Sequence, residues 1–255
     1  MENKVLLILV DGMRPDALDK CGDNYLCKLA EESLSTLEAK TVMPSVTLPC
    51  HTSLFYGVEP ARHGITTNVW MPMVRPVDSL VDVIAKAGGV CATFYNWEQL
   101  RDLWSPGSVD MACFSNLHSS QNTDAMLTDL ATGYIRSKNP DFVFLYLGMT
   151  DEAGHKDGWM SEAYLKQVKD VNLFIKSIIG RIPKDYTVIV TADHGGHERC
   201  HGTNMPEDVT IPLIIKSNLV TPGKLENADI RDIAPTIAKI LGVNKPAEWE
   251  GKELF

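Results

Sequence analysis

Residues 186–190, Y-T-V-I-V, form a short β-branched apolar run that opens at once into T-A-D-H-G-G-H-E-R-C-H-G-T over 191–203. Apolar without alternation and cut off by a glycine-rich polar loop, this run predicts a buried parallel strand that delivers functional residues at its carboxyl end. Asp193, His194, His197 and His201 fall within nine positions. Carboxylate and imidazole together suit a borderline cation such as zinc. A plain surface loop would explain histidines facing water, but not four such groups straight after a buried strand. Further ligands must then come from elsewhere in the chain.

The rest of the chain repeats the pattern. Residues 5–10 are continuously apolar and end at Asp11, which predicts a first buried strand with a metal-ligand candidate at its tip. Asp16 reads as the cap of a helix running through Leu18, Leu26 and Leu29. Residues 37–42 read as a short strand. In the following M-P-S-V-T-L-P-C-H, Pro49 suits the first turn of a helix and sets Thr47 at or near its amino end. A hydroxyl there stands beside unpaired N–H groups and the positive end of the helix dipole, where an oxyanion binds; the same position also suits a plain N-cap. Residues 79–87 have helical spacing and stop at Gly88 and Gly89. A strand is expected over 90–95, and a helix over 123–136; no secondary structure is assigned over 96–121, which holds Trp97, Trp104 and Cys113 and reads either as a substrate-facing insertion or as loop packing. Residues 141–147 form the next strand, with Asp151 and His155 just past its tip. A helix over 161–179, a strand over 209–215 with Pro212 at an edge or a bulge, and a helix over 229–241 complete the chain. Strands alternating with helices predict one domain over 1–255: a doubly wound α/β fold, its mostly parallel sheet covered by helices on both faces.

The formal net charge of -9 argues against a nucleic-acid polymer as partner, although a metal-charged cleft can still attract phosphate. The six apolar residues between Lys4 and Asp11 are too few for a signal-peptide core. No run approaches the roughly twenty apolar residues of a membrane span, so no membrane association is expected. Six cysteines without a C-x-x-C pair fit a reduced, cytoplasmic setting.

Three strand tips thus supply Asp11, then Asp151 with His155, then Asp193 with His194 and His201, and loops at the carboxyl ends of parallel strands line one crevice. Two metals need about six or seven protein ligands, and these six with Thr47 make seven. The set resembles the alkaline phosphatase superfamily, and within it the type I phosphodiesterase/nucleotide pyrophosphatase branch, over nearly the whole chain. Asp11 matches that family's first-strand aspartate, and Thr47-Leu-Pro-Cys-His51 its T-x-P-x-H segment with the nucleophilic threonine. Asp151 and His155 match its D-x-x-x-H pair, Asp193-His194-Gly195 its D-H-G segment, and His201-Gly202 its last histidine. Asn68, after His63-Gly64-Ile65, matches an asparagine that steadies a non-bridging phosphate oxygen. His197 is an alternative to His201, though H-G-T fits the pattern better.

The resemblance implies an alkaline phosphatase-like core. It implies two divalent ions, zinc or alternatively manganese, one held by Asp151, His155 and His201 and the other by Asp11, Asp193, His194 and the Thr47 oxygen. It implies hydrolysis of phosphodiester or pyrophosphate bonds in a small-molecule phosphoester or nucleotide. A phosphonate or phosphomonoester hydrolase, or a catalytically silent metal-binding module, are the competing readings. A sulfatase would need a modifiable Cys or Ser where Thr47 stands, and a phosphomutase an inserted cap domain. His51 and His63 read as local hydrogen-bonders, His118 as a surface residue and Cys50 as packing. Arg14 and Arg62 could reach a phosphate or pair with nearby carboxylates.

Overall fold

The computed structural model describes residues 1–120 and 122–255. Eight strands form one sheet. They are β1 (Lys4–Val10), β2 (Leu34–Lys40), β3 (Cys91–Tyr95), β4 (Met111–Phe114), β5 (Phe142–Leu147), β6 (Tyr186–Thr191), β7 (Thr210–Lys216) and β8 (Gly223–Lys224). Between β1 and β3 lie the helices α1 (Tyr25–Glu31), α2 (Thr47–Tyr56), α3 (Pro60–His63) and α4 (Leu80–Lys86). Later come α5 (Thr123–Lys138), α6 (Met149–Asp157), α7 (Glu162–Arg181), α8 (Pro206–Val209) and α9 (Ile233–Leu241).

The strand order is β4-β3-β5-β1-β6-β7-β2-β8. β1 pairs in parallel with β5 (Leu7 beside Phe144) and with β6 (Leu7 beside Ile189). These three runs are almost wholly buried because both of their faces are covered, which is why they carry no polar alternation. Helices α1 and α7 pack together, with α5 on α7, against one face; α2, α4 and α9 form the other layer. Only β7 runs against its neighbours, so the sheet is mostly parallel, as expected. The carboxyl ends of β1, β5 and β6 therefore open side by side, and that is where the functional loops emerge.

Pro212 lies inside the sheet rather than on an edge. Its neighbours Ile211 and Leu213 face Ala39 and Thr36, with a register shift between the latter two, so the missing N–H falls at a bulge in β2. β2 starts at Leu34, three residues before the expected 37, because Leu37 points outward (37% exposed) and the pairing runs through Leu34, Ser35 and Thr36. Asp16 does not cap a helix: it lies within a 3-10 turn, Pro15–Ala17, and pairs with Arg14 and Lys20. The stretch without an assignment contains β4, a half-exposed edge strand beside β3, and two 3-10 turns, Glu98–Asp102 and Leu117–Ser119; residue 121, its last position, lies outside the described residues. The final helix is divided into a 3-10 turn, Ile230–Asp232, capped by Asp229, and α9, which ends at Gly242 in the left-handed conformation. Among the described residues, no helix is long and apolar enough to cross a membrane.

Candidate metal centre

Each candidate ligand is set by the way its strand ends. β1 runs into Asp11 and Gly12; the latter has φ +66° and sits so close to α6 that a Cβ there would come within 3.0 Å of Asp151 Oδ1. β5 runs into α6, whose first turn holds Asp151 and whose next turn brings His155 to the same face. β6 runs into Asp193 and His194. The two glycines that follow let this loop pack: a Cβ on Gly195 would lie 2.0 Å from Glu207 O, and one on Gly196 would lie 2.2 Å from the Trp159 ring. Their N–H groups donate to Asp208 O and Glu207 O at 2.8 and 2.9 Å.

The buried Asp208 carboxylate ties down the rest of the loop. It accepts from Thr203 N (2.9 Å), Thr203 Oγ1 (2.8 Å) and His197 Nδ1 (2.7 Å). His197 is thereby turned toward Asp208 and Cys200, and His201 reaches the cluster instead.

Two groups of ligand atoms result: Asp151, His155 and His201, and Asp11, Asp193 and His194, each spanning no more than 4.8 Å. His194 Nε2 stands 3.3 Å from both Asp11 Oδ1 and Asp193 Oδ2. His155 Nε2 is 3.4 Å and His201 Nε2 is 3.8 Å from the Asp151 carboxylate. The groups adjoin, for the His194 and His201 rings stack with centroids 3.8 Å apart. All three imidazoles place Nδ1 against a backbone carbonyl: Gly195 O at 2.7 Å, Arg199 O at 3.0 Å and Ser45 O at 2.8 Å. A carbonyl only accepts, so Nδ1 donates and each Nε2 faces inward, the orientation that a metal-ligating histidine requires.

The carboxylates give the physical test of whether cations fit. Asp11 Oδ1, Asp151 Oδ1 and Asp193 Oδ2 are buried with no hydrogen-bond partner among the described residues. Burial, reinforced by the Asp151 charge, pushes Asp193 up to about 8. Burial and the next carboxylate raise Asp11 and Asp151 well above the ordinary range as well. Burial holds His201 down to about 3, with His194 adding to the effect. Three crowded carboxylates that cannot comfortably ionise, facing the Nε2 edges of three imidazoles, are a donor set that divalent cations complete.

Thr47 is the first residue of α2, and its Oγ1 lies 3.2 Å from His194 Nε2. Asn68 Oδ1 accepts from Leu48 N at 2.9 Å, which fixes the side-chain amide at the helix start. Thr47, Asn68, Asp11, Asp151, His155 and His201 line one cleft of 120 Å³, while Asp193 and His194 lie fully buried beneath it. Arg14 is held by Asp16 and Gly196 O, and Arg62 donates to Arg75 O. Neither lines the cleft, and none of its lining residues is Lys or Arg.

Several contributors are not apparent from local sequence. Tyr146 donates its hydroxyl to Asp11 Oδ2, leaving Oδ1 for a cation; the only trace is a phenol one residue before the end of an apolar strand. Trp97, Leu117 and His118, from the unassigned stretch, form the outer wall of the cleft, so the exposed His118 is also a cleft residue. His51 is wholly buried, with Nδ1 2.8 Å from Thr47 O and 3.5 Å from Asp193 Oδ2.

A family model described as type I phosphodiesterase / nucleotide pyrophosphatase matches residues 5–231. Among curated proteins, the chain is 33% identical over 122 residues to the 2,3-bisphosphoglycerate-independent phosphoglycerate mutase of Clostridium acetobutylicum, covering 45% of this chain and 24% of that protein. It is 32% identical over 135 residues to 2,3-bisphosphoglycerate-independent phosphoglycerate mutase 2 of Methanosarcina acetivorans, covering 51% and 26%. The matches thus take in about a quarter of the length of these relatives. Human ectonucleotide pyrophosphatase/phosphodiesterase 5 superposes with a TM-score of 0.83 at 14% identity, covering 98% of this chain and 97% of that one. An inactive threonine-to-alanine variant of the murine protein, in complex with AMP, gives 0.82 at 14% identity and 96% coverage of both chains. A phosphonate monoester hydrolase from Silicibacter pomeroyi gives 0.75 at 17% identity, covering 99% and 76%. At these identities the likeness is one of fold, and the fold is alkaline phosphatase-like.

Proposed function

We propose, on the premise that this chain belongs to the type I phosphodiesterase / nucleotide pyrophosphatase family, that it hydrolyses phosphodiester or pyrophosphate bonds in small molecules with Thr47 as nucleophile. As an alkaline phosphatase-superfamily phosphoester hydrolase it is of a metal-dependent kind. The observation that carries the finer reading is the position of Thr47 Oγ1, 3.2 Å from His194 Nε2 at the first residue of α2, where the two ligand groups meet. Asp151, His155 and His201 would hold one divalent ion, and Asp11, Asp193, His194 and Thr47 the other; zinc suits this mixed oxygen and nitrogen set, with manganese the alternative.

Bound there, such ions supply positive charge that acidifies the threonine hydroxyl and neutralises the departing oxygen. The chain's own residues do the rest. The first turn of α2 and the His51 ring, which donates to the Thr47 carbonyl, fix the Thr47 backbone, and the side-chain oxygen lies against His194 Nε2. The Thr47 oxygen forms a bond to phosphorus as the bond to the leaving oxygen breaks, and water then cleaves the phosphothreonine and restores the hydroxyl. Asn68, whose carbonyl is engaged by Leu48 N, presents its NH₂ to a non-bridging oxygen as charge develops.

The phosphoglycerate mutase relatives favour a second reading, transfer or hydrolysis of a phosphomonoester. Charge weighs against it. A monoester dianion is met in such sites by a bidentate arginine or an extra cation, whereas this cleft has a neutral amide in Asn68 and a further carboxylate in Glu152. The test is kcat/KM for paired nitrophenyl diesters, nitrophenyl monoesters and phosphonates, with protein loaded with zinc or manganese. Diesters or pyrophosphate-linked nucleotides should be turned over best. A clear monoester preference overturns the diesterase reading, and no turnover by protein that holds both ions identifies a silent binding module.

A further inference from the structure

A large groove lies at the opposite end of the sheet from the candidate metal centre. It measures 840 Å³ and runs past the start of β6 at Tyr186, the end of β7 at Lys216 and the start of β2 at Leu34, with α1 and the end of α7 as walls. Asp193 follows the far end of β6, so the length of that strand separates the two sites. The volume is within the roughly 300–1,000 Å³ of small-molecule sites.

Two observations define what would fit. The floor is apolar, built by Leu29, Ile182, Val188 and Ile215. The rim carries Lys28, Lys176, Lys184 and Lys216 against one carboxylate, Glu32. Among the described residues these four form no ion pair, and Lys176 Nζ lies 5.9 Å from the centre of the Tyr25 ring. Unneutralised lysines gathered in one groove run against a chain whose net charge is -9.

We propose that this groove binds a free single-chain anionic amphiphile, its alkyl chain laid on the apolar floor and its carboxylate or phosphate head met by the lysines. A concave groove takes one chain, whereas a bilayer surface needs a flat or convex basic face. The ligand site is independent of the metal centre and of the reaction proposed there.

The experiment is calorimetric titration of the full chain with laurate and with dodecyl phosphate, each below its micellar range, and with octyl glucoside as the uncharged control. Saturable one-to-one binding of one or both anionic probes is expected, the stronger of the two identifying the head group. Lys28→Glu with Lys216→Glu should weaken that binding about tenfold or more, since each change removes an attraction and adds a repulsion. Both residues are exposed and far from the cleft, so the double variant should keep its fold and its metal content. No saturable binding, or an affinity untouched by the double reversal, overturns the proposal. So does binding to anionic phosphatidylserine vesicles without binding of either free probe, which would make the groove a membrane contact.

Discussion

Trp159 is the side chain on which three ligand-bearing segments meet, and replacing it tests whether packing sets the metal geometry. Its indole N–H donates to Gly12 O at 2.9 Å, one residue after Asp11. Its ring fills the space a Cβ would need at Gly154 of α6 and at Gly196 of the loop after β6, where contacts would be 2.6 and 2.2 Å. The ring stands edge-on to His155 with centroids 5.1 Å apart, and 5.9 Å from His201. It is 7% exposed. Trp159→Ala removes this spacer, at a cost of about 3–5 kcal/mol to the metal-free fold. A stability of roughly 5–15 kcal/mol is typical of a native domain, so the variant should still fold. Trp159→Phe keeps a ring between the glycines and loses one hydrogen bond. Gly12 O still accepts from Tyr164 Oη at 2.9 Å and is not orphaned, so that loss should be about 1 kcal/mol.

The consequence for metal follows from which ligands touch the ring. His155 and His201 lose their packing support in the alanine variant, whereas His194 and Asp193 do not contact the indole. Loss of supporting contacts typically costs about 10–100-fold in metal affinity, so the group of Asp151, His155 and His201 should weaken by that factor. The group of Asp11, Asp193 and His194 should stay within a few-fold of wild type. Zinc competition against a chromogenic chelator measures both affinities, with urea unfolding of the chelated protein alongside. The reasoning fails if Trp159→Ala binds both ions as tightly as wild type, or if phenylalanine is as damaging as alanine.

Thr47→Ala should abolish nearly all turnover while leaving the fold intact, and Thr47→Ser should retain part of it; diester hydrolysis at wild-type rate by the alanine variant would make water the nucleophile. Purified protein should carry close to two divalent ions by elemental analysis, and chelation should stop hydrolysis; no bound transition metal together with indifference to chelator would remove the metal reading. In the metal-free protein Asp193, raised to about 8, keeps a proton that the unfolded chain releases near pH 4, so its contribution to stability falls as pH rises. His201, lowered to about 3, acts in the opposite sense but only up to about pH 6.5, where the unfolded histidine has also lost its proton. The Tm of chelated protein should therefore fall between about pH 6.5 and 8 and saturating zinc should remove the fall; a metal-free Tm flat across that range would show that these carboxyls ionise without penalty.

The candidate ligands stand out in the sequence because metal coordination demands uncommon residue types in places that strand patterning reveals. Asp11, Asp151 and Asp193 each follow a strand buried on both faces, where a carboxylate is conspicuous. What holds the ligands was not legible, because ordinary residues do it across long separations. Tyr146 reaches Asp11 over 135 positions and Trp159 reaches Gly12 over 147, and neither phenol nor indole is unusual beside an apolar core. That His201 rather than His197 adjoins the cluster depends on Asp208, which engages His197; it is a carboxylate in a four-residue helix whose only visible role in sequence is to precede β7. β4 escaped notice for a related reason: four half-exposed residues on a sheet edge carry no periodicity until β3 is there to pair with them. The same logic explains why Gly195 and Gly196 stand together. One must admit the Glu207 carbonyl and the other the Trp159 ring, two approaches from different parts of the chain that meet only in the folded loop.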